Sequence, residues 1–171
     1  MKAGAPWLDE KESLLVGLRN RLLQLLARNA PGATTVRVWL HRRRGVRIGR
    51  GVWIGYDAVI ETSRPRLIRI GDRASIGIGA LIIGHYREKK GVAMEEDASV
   101  GPGAVVLPGV RIGRGAVITA GSVVTRNVRP MTVVRGNPAV EVARLAAVAT
   151  PDTSLREFSR SLRPLAEPDE A

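Results

Sequence analysis

The chain has 171 residues and a formal charge of +11, with 27 Lys+Arg against 16 Asp+Glu, which suits one domain with an ordinary core and short appendages. No Cys is present, so disulfides, a thiol nucleophile and a thiolate metal site are excluded, and no apolar run approaches the ~18 residues of a membrane span. The basic excess fits solvated arginines or a polyanionic or phosphate-rich partner, but six aromatics, none interleaved with the basic residues, disfavour nucleic acid.

Residues 8–29 read as an amphipathic helix, with Leu14, Leu15, Leu18, Leu22, Leu25 and Leu26 at helical spacing. Ala30-Pro31-Gly32 stops it. Its expected role is to cover the open end of the domain that follows. A basic interfacial membrane helix is disfavoured by Asp9, Glu10 and Glu12 upstream. Arg19, Arg21 and Gln24 interrupt the leucines, which argues against a signal peptide and for a cytoplasmic protein. Thr34 to Leu40 alternates as a lead-in strand does. His41-Arg42-Arg43-Arg44 then opens a basic segment running to Arg47 and Arg50, read as a solvated face.

From Ile48 to Val128 the chain repeats every six residues. Stepping by six from Ile70 gives Ile76, Ile82, Glu88, Met94, Val100, Val106, Ile112, Ile118 and Val124. Four residues after each comes a small or Val companion, such as Ala74, Ala80, Ala98, Ala104 and Ala116. Ile48, Ile54 and Ile60 run in the same pattern, displaced by a four-residue insertion near Thr62–Ile68. A fixed period of six predicts a solenoid with one short strand and one turn per repeat. The aliphatic points inward and the small residue fits the corner.

The pattern fails at Tyr86 and Glu88, beside His85, and regains its phase at Met94. His85–Lys90 is therefore expected to leave the solenoid as a loop in place of one repeat, and a broken repeat marks a functional candidate. At three repeats per coil, an eighteen-residue step stacks Gly84, Pro102 and Ala120 in one column, with His85, Gly103 and Gly121 beside it. Val140–Val148 reads as a closing helix. Pro151 ends it, and Leu155, Phe158 and Leu162 allow one short helix in the remaining tail.

The run Val100-Gly-Pro-Gly-Ala-Val-Val-Leu-Pro-Gly109 and onward through Ala120-Gly121-Ser122 to Gly136-Asn137-Pro138 resembles the hexapeptide-repeat acyltransferases, among them the maltose and galactoside O-acetyltransferases. The resemblance covers roughly residues 45–142. It implies a left-handed parallel β-helix, an all-β solenoid at 45–139, with an N-terminal capping helix in 1–44 and a short C-terminal helix and tail in 140–171. It also implies a homotrimer, with acetyl-CoA as acyl donor lying between subunits. The cofactor-contacting positions of the family motif match Pro102, Ala120, Thr125 and Arg126. Two further basic positions fall on Val140 and Ala143, leaving Arg129, Arg135 or Arg144 as phosphate partners.

The expected function is transfer of an acetyl group to a hydroxyl of a sugar or related small molecule. Alternatives are a serine or antibiotic acetyltransferase of the same fold, or a non-catalytic β-helix scaffold. His85 is the expected general base, because an imidazole can accept the hydroxyl proton near pH 7. Its orienting partner is left open between a backbone carbonyl and Glu88. The only other histidine is His41, so the three-histidine zinc site of the γ-type carbonic anhydrases is not expected and no metal is assigned.

Overall fold

The computed structural model describes residues 13–86, 90–150 and 152–165. Two helices open the chain, α1 at Leu14–Asn29 and α2 at Val36–Arg44. Four coils of three short strands follow. The first holds β1 (Arg47–Ile48), β2 (Trp53–Ile54) and β3 (Val59–Ile60); the second β4 (Ile68–Ile70), β5 (Ser75–Ile76) and β6 (Leu81–Ile82). The third holds β7 (Val92–Met94), β8 (Ser99–Val100) and β9 (Val105–Val106); the fourth β10 (Arg111–Ile112), β11 (Val117–Ile118) and β12 (Val123–Val124). Corresponding strands pair in parallel as β1-β4-β7-β10, β2-β5-β8-β11 and β3-β6-β9-β12, three faces of a prism. This is the solenoid expected from the period, and its strands pair in parallel as the family resemblance implied.

The inward aliphatics Ile54, Ile60, Ile76, Ile82, Val106, Ile112 and Ile118 are fully buried, as are the corner alanines Ala74, Ala80, Ala98, Ala104 and Ala116. Each inward residue stacks on its equivalent one coil away, so the core is continuous along the axis. Gly77 and Gly101 are fixed by close approach, since a Cβ on either would collide with the backbone N of Pro102 and Ala120 respectively in the next coil.

The register measures both breaks in the period. Ile48 pairs with Ile70, Ile70 with Met94 and Met94 with Ile112. The steps are 22, 24 and 18 residues, so the insertion adds four residues and the loop adds six. The four extra residues form a 3-10 turn at Pro65–Leu67.

Two sequence expectations about secondary structure are overturned. Thr34–Leu40 does not form a lead-in strand but enters α2, because Arg37, Leu40, His41 and Arg44 form a buried stripe at helical spacing. Three of those four are polar, so a hydrophobic pattern could not show it. Gly45 ends the helix at φ 107°, its N–H turned back on the carbonyls of Arg42 and His41. The basic run is correspondingly solvated only in part: Arg42, Arg43, Arg47 and Arg50 are exposed, whereas His41 and Arg44 are buried.

The second correction lies at the C-terminus. Val140–Val148 is not a helix: β14 (Ala139–Leu145) pairs antiparallel with β13 (Thr132–Gly136), which extends the second face. Ala143 and Leu145 are buried at strand spacing, where they close over Val133. The short helix allowed by Leu155 and Phe158 is present as α3 (Leu155–Ser161), opened by a capping box between Ser154 and Glu157. β15 (Leu162–Pro164) then pairs with β14.

Helices α1 and α2 close the first coil, although α1 is inverted relative to expectation. It buries Asn20, Gln24 and Ala27 against the body, while Leu14, Leu15, Leu18, Leu22, Leu25 and Leu26 are exposed. The plug is α2, whose Val38 joins the solenoid core.

Candidate functional site

Both breaks in the hexapeptide period fall on one corner of the prism, between the third face and the first. The insertion follows β3 and the loop follows β6, one coil further along. Glu61, the first residue after β3, therefore lies beside the segment that leaves β6. Its Oε2 is 2.8 Å from Nδ1 of His85. The same oxygen accepts the backbone N–H groups of Gly84 at 2.8 Å and His85 at 3.1 Å. Oε1 accepts those of Ser63 at 2.9 Å and Arg64 at 3.0 Å.

This carboxylate is almost fully enclosed, with 2% of its side chain exposed, whereas 38% of the His85 side chain reaches solvent. Burial pushes the Glu61 carboxyl up, but the hydrogen bonds from His85 and from the N–H groups of Arg64, Ser63 and Gly84 outweigh it and hold the group below the usual carboxylate range. An ionised carboxylate only accepts, so Nδ1 of His85 must carry the hydrogen. In the neutral ring Nε2 then keeps its lone pair. The dyad orients the imidazole.

The helices buttress Glu61 from beneath. Arg44 donates through Nη2 to the Glu61 main-chain carbonyl and through Nη1 to Oε1 of Gln24, with Nδ1 of His41 2.9 Å from Nη1. Gln24 in turn donates to the Ala58 carbonyl at 2.9 Å, on the lead into β3. Burial lowers the Arg44 guanidinium to about 10, opposed by the charge of Glu61. Burial, followed by the Arg44 charge, lowers His41 to about 3, so this imidazole is neutral at pH 7.

Glu61 was not among the sequence candidates. Its signal was an acid directly after an inward isoleucine, at the edge of the insertion. Correcting the stacking for the four extra residues would have set it beside the loop. Glu88, one candidate for orienting His85, lies outside the described residues.

The other four candidates divide between two corners. Thr125 and Arg126 follow β12 and are exposed on the corner that carries His85. They lie two coils further on, about 10 Å along the axis at ~4.8 Å per coil. Pro102 and Ala120 lie on the neighbouring corner, between the second and third faces. Gly84 does not stack on them as the eighteen-residue step suggested. The loop makes that step 24 residues, so the Gly103 N–H donates to the Ile78 carbonyl and the Gly121 N–H to the Pro102 carbonyl. The true columns are Ile78–Pro102–Ala120 and Gly79–Gly103–Gly121.

That second corner is open along a strip of glycines, a trough where side chains would otherwise stand. Gly79, Gly103 and Gly121 take φ of 65°, 64° and 68°, and a Cβ on any of them would meet nothing within 4 Å. The β13–β14 turn closes over its end, where the Gly136 N–H donates to Oγ of Ser122 at 3.2 Å. This places exposed Arg135 beside the trough. Arg129 is occupied by an ion pair with Glu141.

Residues 91–126, the third and fourth coils, match the family described as bacterial transferase hexapeptide, six repeats. A 2,3,4,5-tetrahydropyridine-2,6-dicarboxylate N-acetyltransferase of Staphylococcus aureus is 37% identical over 97 residues, which are 56% of this chain and 39% of that protein. The chain thus spans well under half the length of the curated relatives it matches. A hexapeptide-repeat acetyltransferase of Vibrio cholerae superposes with a TM-score of 0.66 at 24% identity, covering 81% of this chain and 96% of that one. Its complex with acetyl-coenzyme A gives 0.62 at 25% identity, covering 78% and 88%. A serine acetyltransferase of Neisseria gonorrhoeae gives 0.55 at 27% identity, covering 80% and 56%.

Proposed function

We propose that the chain is a hexapeptide-repeat acyltransferase and that it transfers an acetyl group from acetyl-coenzyme A to a hydroxyl of a sugar or related small molecule, with His85 as general base. The observation that carries this reading is the Glu61–His85 pair: a buried carboxylate fixes the tautomer of a partly exposed imidazole at the place where the solenoid breaks its repeat. A scaffold has no use for such an arrangement.

The donor supplies an activated acyl thioester when bound. His85 takes the proton of the acceptor hydroxyl at Nε2 as that oxygen forms the new bond to the acyl carbon, and returns it to the thiol sulfur as the C–S bond breaks. Glu61 stabilises the imidazolium in between. The trough along Gly79–Gly103–Gly121 suits a slender pantetheine arm, lined by Pro102 and Ala120, and Arg135 at its end suits a phosphate. Thr125 and Arg126 sit on the other corner of the same chain.

A single chain thus separates the base from the trough by one prism face. Two copies packed side by side would set the base corner of one against the trough corner of the next, and three would close the ring. The homotrimer is therefore part of the proposal, with the site built between subunits.

A nitrogen acceptor is the second reading, favoured by the 37% identity to an N-acetyltransferase. Thiol release from acetyl-coenzyme A, measured against panels of sugars, serine and amines, tests the proposal and separates the two. If coenzyme A does not bind, the scaffold reading wins. If it binds and His85→Ala turns over within threefold of wild type, the base is misassigned.

A further inference from the structure

The first helix wears its leucines on the outside. Successive steps of ~100° place Leu14, Leu15, Leu18, Leu22, Leu25 and Leu26 within an arc of about 120°, with Arg21 just beyond one edge and Arg19 just beyond the other. Asn20 and Gln24 occupy the opposite side and are buried, whereas Leu14 is 91% exposed and Leu18 67%. The apolar face continues across a groove lined by Leu25, Leu26, Val36 and Leu40. It ends at Trp39, which is half exposed beneath the guanidinium of Arg43, 5.1 Å from its ring.

Charge decides what kind of surface this face meets. Residues 13–56 contain nine arginines and no acidic residue. The acids Asp9, Glu10 and Glu12 precede the helix, outside the described residues. A second copy docked through the same face would bring Arg19 and Arg21 against their own equivalents, while Asp57, beside the end of the helix, is already paired with Arg28 at 3.0 Å. An anionic lipid surface offers both halves of what is exposed: hydrocarbon for the leucines, and phosphate for Arg19, Arg21 and Arg43, whose stems can lie along the apolar face while their heads reach the headgroups. Trp39 at the rim has the apolar body and polar N–H that favour the interface.

We infer that α1 and the exposed edge of α2 form a peripheral docking face for anionic phospholipid membranes. It lies at the first-coil end, and none of its residues belongs to the proposed catalytic machinery. No helix among the described residues is long and apolar enough to cross a membrane, so the contact is with one leaflet.

Flotation of the full chain with vesicles tests this. Protein should rise with phosphatidylcholine vesicles containing phosphatidylglycerol, remain behind with phosphatidylcholine alone, and bind less as salt is raised. Leu18→Glu combined with Leu22→Glu should weaken binding by at least about tenfold, with circular dichroism and thiol release unchanged. Arg19→Gln combined with Arg21→Gln leaves the leucines in place and should lose the preference for anionic vesicles. Failure of the wild-type chain to float with anionic vesicles would overturn the inference, as would equal binding by the leucine variant. A fall in molar mass in the leucine variant, without any vesicle binding by wild type, would mean that the face joins copies of this chain.

Discussion

Arg44 donates to the main-chain carbonyl of Glu61, so a helix that adds no strand to the solenoid holds the residue that orients His85. The contact is buried at both ends, with Arg44 2% and Glu61 4% exposed. The N-terminal helices are thereby coupled to the candidate base as well as to the end of the core.

Replacing Arg44 by Met should leave the Glu61 carbonyl without its donor and Oε1 of Gln24 with only the long 3.4 Å contact from the Ile60 N–H. Each buried unsatisfied group costs about 1–3 kcal/mol, so the urea midpoint should fall measurably. Turnover should fall more than coenzyme A affinity does, since the trough lies on another corner. Equal loss of both would place the role of Arg44 in folding alone.

Glu61→Gln tests the tautomer argument. An amide can donate to Nδ1 and so favour the hydrogen on Nε2, the form that cannot accept the acceptor's proton. Turnover should drop by roughly 10² or more, while the acceptor KM changes little. A variant with near wild-type turnover would remove Glu61 from the mechanism.

His85→Ala should lower turnover by roughly 10²–10⁴, with coenzyme A affinity and Tm close to wild type. Stopped-flow or steady-state thiol release measures the first, and calorimetry the other two.

Ala120→Tyr should fill the open corner without touching the inward core, because Ala120 is exposed. The coenzyme A Kd should rise at least tenfold, about 1.4 kcal/mol, with β-rich circular dichroism retained. Unchanged affinity would mean that the donor binds elsewhere.

Acid should weaken the fold through His41. Its folded value is about 3 against ~6.5 in an unfolded chain, so the unfolded state takes up the proton first. The stability from this neutral, buried ring is complete above the unfolded value and is lost as pH falls from there toward the folded one. Between pH 7 and pH 5 the loss amounts to about 2 kcal/mol, and His41→Gln should be free of it in urea melts at the two pH values. Glu61 adds a loss at lower pH, because its depressed carboxyl stabilises the fold above its unfolded value and ceases to as it protonates.

The period of six, the inward aliphatics and the corner alanines were enough by themselves to determine a solenoid of short strands, because each position packs against its own equivalent one coil away. The same regularity made the break at His85 visible. Tertiary structure alone decided the partner of His85, since Glu61 is 24 residues distant and meets it only once the four-residue insertion and six-residue loop are counted into the stacking. It also decided that Pro102 and Ala120 occupy a different corner from His85, for the same reason. The direction of α1 was beyond the pattern too. Leucine spacing marks an apolar face, but here the body offers carbonyls and a buried guanidinium, which Gln24 satisfies and a leucine could not.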